Sequence, residues 1–125
     1  MSGTPIIGGT SGTANMVSGR YMGMFAGNQS GTERSVQNIM PTAGTVKNFY
    51  VFVENPPGGT TSWTLTLRKN GVDTAVTCTV TGAGQTCFDT VNTAVFAAGD
   101  LISVRESSSG SPLNSAGQWT AVFAP

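Results

Sequence analysis

Trp63-Thr64-Leu65-Thr66-Leu67-Arg68-Lys69-Asn70-Gly71-Val72 alternates large apolar residues with polar ones and then runs into Asn-Gly. A period of two puts Trp63, Leu65 and Leu67 on one face of a strand. Asn-Gly is the strongest short-range hairpin signal, because both central residues of a type I′ turn need positive φ. Downstream, Thr74-Ala75-Val76-Thr77-Cys78-Thr79-Val80 alternates in the same way, so the hairpin predicts its own second strand.

The same pattern extends from Val46 to Phe123, interrupted by turn signals at intervals of roughly ten residues. The strongest apolar run is Val46-Lys47-Asn48-Phe49-Tyr50-Val51-Phe52-Val53-Glu54. It is apolar or aromatic on both faces, which predicts a central strand covered from both sides. In an isolated chain Tyr50 and Phe52, opposite Phe49 and Val51, are left exposed, and this makes them candidates for a subunit contact. Pro56-Pro57-Gly58-Gly59 ends the strand.

Further strands are expected at Arg20–Phe25, Ser35–Met40, Gln85–Phe88, Thr93–Phe96, Leu101–Arg105 and Trp119–Phe123. No segment carries a helical period. Some eight or nine strands joined by loops of very unequal length predict an all-β, antiparallel two-sheet sandwich of jelly-roll type. Residues 20–125 form this domain. Residues 1–19 hold only Ile6, Ile7, Met16 and Val17 as apolar anchors in a Gly/Ser/Thr-rich background. Such a segment buries too little to offset its own ordering entropy, so it is expected to be a flexible arm or one docked on a neighbouring subunit.

Composition narrows the function classes. The chain has 125 residues, 6 basic and 6 acidic side chains, no histidine and a formal net charge of zero. A nucleic-acid binder normally carries a basic excess to neutralise phosphates. A membrane-spanning helix needs about 20 consecutive apolar residues, and no run here approaches that. The opening residues show no basic stretch followed by an apolar one, so no secretory signal is visible: either the protein is made and used without such export, or a signal has been removed. Low charge on a polar surface suits a protein that spends its surface on contacts with copies of itself. Threonine-rich strands alone account for the same composition more plainly.

Reactive chemistry is sparse. Without histidine a Ser-His-Asp or Cys-His relay cannot be built, so no catalytic residue is assigned and an enzyme is not expected. Asp73, Asp89 and Asp100 sit in or beside turns, where Asp bonds its own backbone. Glu33-Arg34 and Arg105-Glu106 read as exposed charge pairs. No phosphate-cradling loop or other cofactor motif is present, and two cysteines without histidine cannot complete a tetrahedral zinc site. Trp63 and Trp119 follow the apolar alternation and read as core, with sugar stacking as the rival role.

Cys78 and Cys87 flank the Gly82-Ala83-Gly84 turn. A two-residue loop at Gly82-Ala83 sets the cysteines opposite each other on a non-hydrogen-bonded rung, with Cα atoms about 4.5 Å apart and within disulfide reach. Cys78 also continues the apolar set of Val76 and Val80. The pair is therefore either a disulfide or two buried thiols, and an intracellularly assembled protein keeps thiols reduced.

From Pro41 onward the chain resembles a domain of phage structural proteins that also forms the C-terminal head of collagen-like spore-surface proteins. The resemblance rests on Ala43-Gly44-Thr45-Val46-Lys47-Asn48, Leu65-Thr66-Leu67-Arg68-Lys69-Asn70-Gly71-Val72-Asp73-Thr74-Ala75, Cys78-Thr79-Val80 and Ala98-Gly99-Asp100-Leu101-Ile102-Ser103. It implies a jelly roll similar to the trimeric heads of the tumour necrosis factor and complement C1q families, which associate through apolar residues of one sheet. The chain lacks a Gly-X-Y stalk. The expectation is a capsid decoration (cement) protein, made in the host cytoplasm and carried on the virion surface. Its partners are then itself, as a homotrimer, and the major capsid protein. The alternative is a carbohydrate- or receptor-binding head of a fibre.

Overall fold

A computed structural model describes residues 5–12, 14–25 and 29–125. Among them the chain forms β1 (Ile6–Thr10), β2 (Arg20–Met22), β3 (Gln29–Ser30), a short 3-10 turn (Glu33–Ser35), β4 (Asn38–Ile39), β5 (Gly44–Val53) and β6 (Ser62–Lys69). The remaining strands are β7 (Val72–Thr81), β8 (Thr86–Asp89), β9 (Ala94–Phe96), β10 (Leu101–Ser109) and β11 (Gly117–Ala124). All pairings are antiparallel.

The strands make two sheets packed as a jelly-roll-like sandwich. One sheet runs β1-β11-β5-β8, with β9 pairing β5 beyond β8. The other runs β3-β2-β10-β6-β7, with β4 on β10. The β6–β7 hairpin turns through Asn70 and Gly71, at φ 52° and 79°. Both values are positive, as Asn-Gly demands.

Between the sheets lie Phe49, Val51, Val53, Trp119 and Phe123 from one side and Trp63, Leu65, Leu67, Ile102 and Val104 from the other. A bulge in β5 arranges part of this set. Two residues of β5, Asn48 and Phe49, oppose one of β11, Ala121, between the Lys47–Val122 and Tyr50–Thr120 rungs, and Asn48 takes φ 51°. Val46 and Phe49, an odd number of residues apart, therefore both point inward.

Several expectations need correction. β5 is central within its sheet, but only one of its faces is covered, and Tyr50 and Phe52 remain exposed. The strand expected over Ser35–Met40 shrinks to Asn38–Ile39, because Glu33–Ser35 coils into the 3-10 turn. Residues 1–4 and 13 of the expected arm lie outside the described residues. Its central part, Ile6–Thr10, is ordered as an edge strand on the same chain's β11. Ser11 fastens its end: its amide donates to the Gly117 carbonyl at 2.9 Å, and its hydroxyl accepts from the Gly117 amide at 3.0 Å. The edge of β11 supplies the backbone partners that the segment's own side chains cannot replace.

The cysteine geometry also differs from the hairpin expectation. β7 and β8 are not rungs of one ladder, since β7 pairs β6 and β8 pairs β5. Cys78 and Cys87 are bonded across the gap between the sheets, with Cα atoms 5.7 Å apart. The chain leaves one sheet at Thr81 and enters the other at Thr86, so the Gly82 turn is a sheet-to-sheet crossing.

Candidate interaction surface

The two outer faces of the sandwich differ in kind. On the face built from β1, β11, β5, β8 and β9, Tyr50 and Phe52 project from β5 and Phe88 projects from β8. Their exposures are 48%, 40% and 60%. Tyr50 stands directly opposite Phe88 in the ladder, and the two rings stack with centroids 5.4 Å apart. Ile6, on the rung shared with Val122, and Val95, on the rung shared with Thr45, are also exposed. In these five strands the charged residues are Lys47, at the bulge, and Asp89, which points inward. The result is an apolar, aromatic face almost without charge. Soluble monomers rarely leave large contiguous patches of this kind uncovered.

The opposite face is polar and largely bonded within itself. Thr64 and Thr79 share a hydroxyl hydrogen bond of 2.8 Å, and Thr66 and Thr77 share one of 2.9 Å. Beside them Arg68 grips both oxygens of Glu33, its Nε at 3.0 Å and its Nη2 at 2.9 Å. Arg68 also donates to Asp73 Oδ1 at 2.6 Å and lies 5.3 Å from the centre of the Tyr21 ring. The Ser103 hydroxyl donates to Glu33 Oε2 at 2.7 Å. The Arg68 guanidinium holds the Glu33 carboxyl below the usual range, against a smaller opposing effect of burial.

These contacts change three readings from sequence. Glu33 pairs with Arg68, not with its neighbour Arg34, and both partners are largely buried. Asp73 bonds Arg68 and Arg105 rather than its own turn. Glu106 is not an exposed partner of Arg105 but is completely buried. Its position was open to discovery from the alternation Ile102, Val104, Glu106, which carries it inward. Two opposite charges adjacent on a strand point to opposite faces, so Arg105 and Glu106 cannot both face solvent on a sheet covered on one side.

Asp89 and Asp100 do serve their turns. Asp89 accepts from the amides of Val91 at 3.1 Å, Asn92 at 3.0 Å and Thr77 at 3.2 Å. Burial pushes its carboxyl upward, yet these bonds and the one from the Asn92 side chain outweigh it and hold the group at about 2. Asp100 accepts from the Ala97 amide at 2.8 Å.

Trp63 and Trp119 are both buried, which removes them as sugar platforms. Of the four arm anchors, Met16 is buried and Ile7 packs on the core, whereas Ile6 and Val17 face solvent. Phe88 was not singled out from sequence. Its alternation with the inward Cys87 and Asp89 is the signal that places it outside.

Among the described residues no three metal-ligating side chains converge. An open cleft of about 310 Å³ lies between the β6–β7 hairpin and residues 93–95. Its one amine, on Lys69, donates to the Val95 carbonyl at 3.0 Å. Among the described residues no helix is long and apolar enough to cross a membrane. No protein-family model and no curated protein matches this chain.

Proposed function

We propose that this chain is a structural protein of a phage virion, most specifically a capsid decoration protein that assembles as a homotrimer and braces the shell of major capsid protein. The observation that carries this reading is the exposed Tyr50–Phe52–Phe88 cluster on a sheet face with almost no charge. The resemblance of residues from Pro41 onward to phage structural proteins supplies the particle.

The mechanism follows from the surface. Aromatic side chains bring about 150–250 Å² each into a contact and cost little conformational entropy when fixed. Closed rotational symmetry uses the apolar face once per subunit and prevents filaments. Each bridging trimer adds buried area that must be lost before the shell ruptures. With so little charge involved, attachment is expected to persist at moderate salt.

A glycan-binding head draws on the same aromatics. Tyr50 and Phe88 stack on each other in mid-strand, on a broad face rather than in a loop-walled pocket, and this favours a protein partner over a sugar. The experiment is sedimentation of the chain alone and with purified decoration-free phage capsids. Wild type is expected to run as a trimer and to co-sediment, whereas Phe52→Ser/Phe88→Ser runs as a folded monomer that stays in the supernatant. A wild-type chain that is monomeric at high concentration and has no affinity for capsids rejects the proposal.

A further inference from the structure

Glu106 continues the inward series Ile102 and Val104 on β10, opposite Leu65 of β6 and Arg20 of β2. It has no exposed surface. One carboxylate oxygen, Oε1, accepts the Val17 amide at 3.0 Å. The other, Oε2, is buried with no hydrogen-bond partner, as is the indole N–H of Trp63 on the next inward rung of β6. A half-partnered carboxyl in an apolar core is expensive unless it is neutral.

What covers it is thin. Residues 14–19 cross the end of the sandwich as a strap whose Ala14, Asn15, Val17, Ser18 and Gly19 are exposed, with only Met16 turned into the core. The strap is fastened to Glu106 and Ser108 along its second half, and to Ser11, Gln29 and Ser115 along its first. The Gly19 amide donates to the Glu106 carbonyl at 2.8 Å, the Ser108 amide to the Ser18 hydroxyl at 3.1 Å, and the Met16 amide to the Ser115 carbonyl at 2.8 Å. Displacing this single layer is the shortest way to give the carboxylate water.

We propose that Glu106 is a proton-operated latch on residues 14–19: protonated, it sits dry beneath the strap, and ionised, it admits water by displacing the strap. This inference is independent of the assembly reading. Few groups compete for control of the latch. From β2, Arg20 favours the charged form, but it is exposed and its pull is weaker than the burial. From β6 the facing side chains are Trp63, Leu65 and Leu67, and from the strap the Val17 amide favours the charged form more than Arg20 does but is likewise outweighed by burial. Across the sandwich, among the described residues, the inner face carries one ionisable side chain, Asp89, already occupied by Thr77, Val91 and Asn92. Burial pushes the Glu106 carboxyl up to about 7, which sets the switch near neutrality.

The test is amide hydrogen exchange on the full chain at about pH 5.5 and about pH 8.5, normalised for intrinsic rates. The amides of Met16, Val17 and Gly19 are expected to exchange about tenfold faster at the higher pH, with core strands unchanged. Glu106→Gln keeps the acceptor and removes the charge, so its strap is expected to stay protected at both. Equal normalised protection in the wild type, or a pH dependence that survives in Glu106→Gln, overturns the latch. Carboxyl NMR of the wild type decides independently of any variant: the loss of strap protection must follow the Glu106 titration, and a Glu106 that titrates like an ordinary exposed glutamate also overturns it.

Discussion

Cys78 and Cys87 join the edge strand of one sheet to the edge strand of the other, so the disulfide closes the sandwich along the side where β7 and β8 end the two sheets. Both sulfurs are buried. The bond spans a sequence separation of 9. A loop of that length is worth about 2–3 kcal/mol in the chain-entropy account. Reduction, or the double change Cys78→Ala/Cys87→Ala, is expected to lower stability by that amount while leaving the fold intact. Urea unfolding with and without reductant measures it, and coincident midpoints would contradict it.

Glu106 and Asp89 give the chain opposing pH dependences. The folded-state carboxyl of Glu106 lies near 7, against 4.5 unperturbed. Between those values the unfolded chain gives up a proton that the folded one keeps, so stability falls as pH rises through that window and then levels. About two and a half pH units at about 1.4 kcal/mol each gives a loss of about 3 kcal/mol. Glu106→Gln is expected to recover most of it above pH 7 and nothing near pH 4. Asp89 acts in the other direction, since its contribution is present above 3.8 and is lost as pH falls toward about 2. Denaturant midpoints across pH test both, and a Glu106→Gln gain that is the same at every pH would refute the first.

Arg68 is the hub of the polar face, and its value lies in its shape. It satisfies Glu33 with two parallel bonds while reaching Asp73 and the Gly71 carbonyl. Lysine carries the same charge but cannot make the fork. Arg68→Ala is expected to cost about 2–3 kcal/mol, because Glu33 is left partly buried and unpaired, with Arg68→Lys recovering less than half. Chemical unfolding of the three proteins measures it. A lysine variant as stable as wild type would show that charge alone suffices.

Gly9 is where the N-terminal strand meets the opposite sheet. A Cβ placed there would overlap the carbonyl oxygen of Gly23, which itself accepts the Trp119 indole N–H at 3.2 Å. Gly9→Ala is expected to lift β1 from β11 and to cost about 1–3 kcal/mol, as overpacking against rigid backbone does. Amide exchange over Ile6–Thr10 should rise while that of β6 and β10 stays slow. Unchanged protection of β1 would mean that the strand relaxes around the added methyl.

The elements that were legible in the sequence are those governed by near neighbours. Asn70-Gly71 specifies its turn through two positive φ angles, and Trp63, Leu65 and Leu67 declare their face through a period of two. Each follows from backbone sterics within a few residues. The aromatic candidates Tyr50 and Phe52 were visible for the same reason, whereas Phe88, the ladder partner of Tyr50, is far away in sequence and was not.

The all-β class, the hairpin and the inward faces of the long strands were thus set by the chain's own alternation. The tertiary structure decided which sheet each strand joins, and with it the inter-sheet course of the disulfide. It also seated β1 on β11, paired Arg68 with a glutamate distant in the chain, and buried Glu106 under the strap. Alternation reports which side chains share a face, whereas register between distant strands depends on loop closure and packing summed over the whole molecule. That sum is not written in any local stretch.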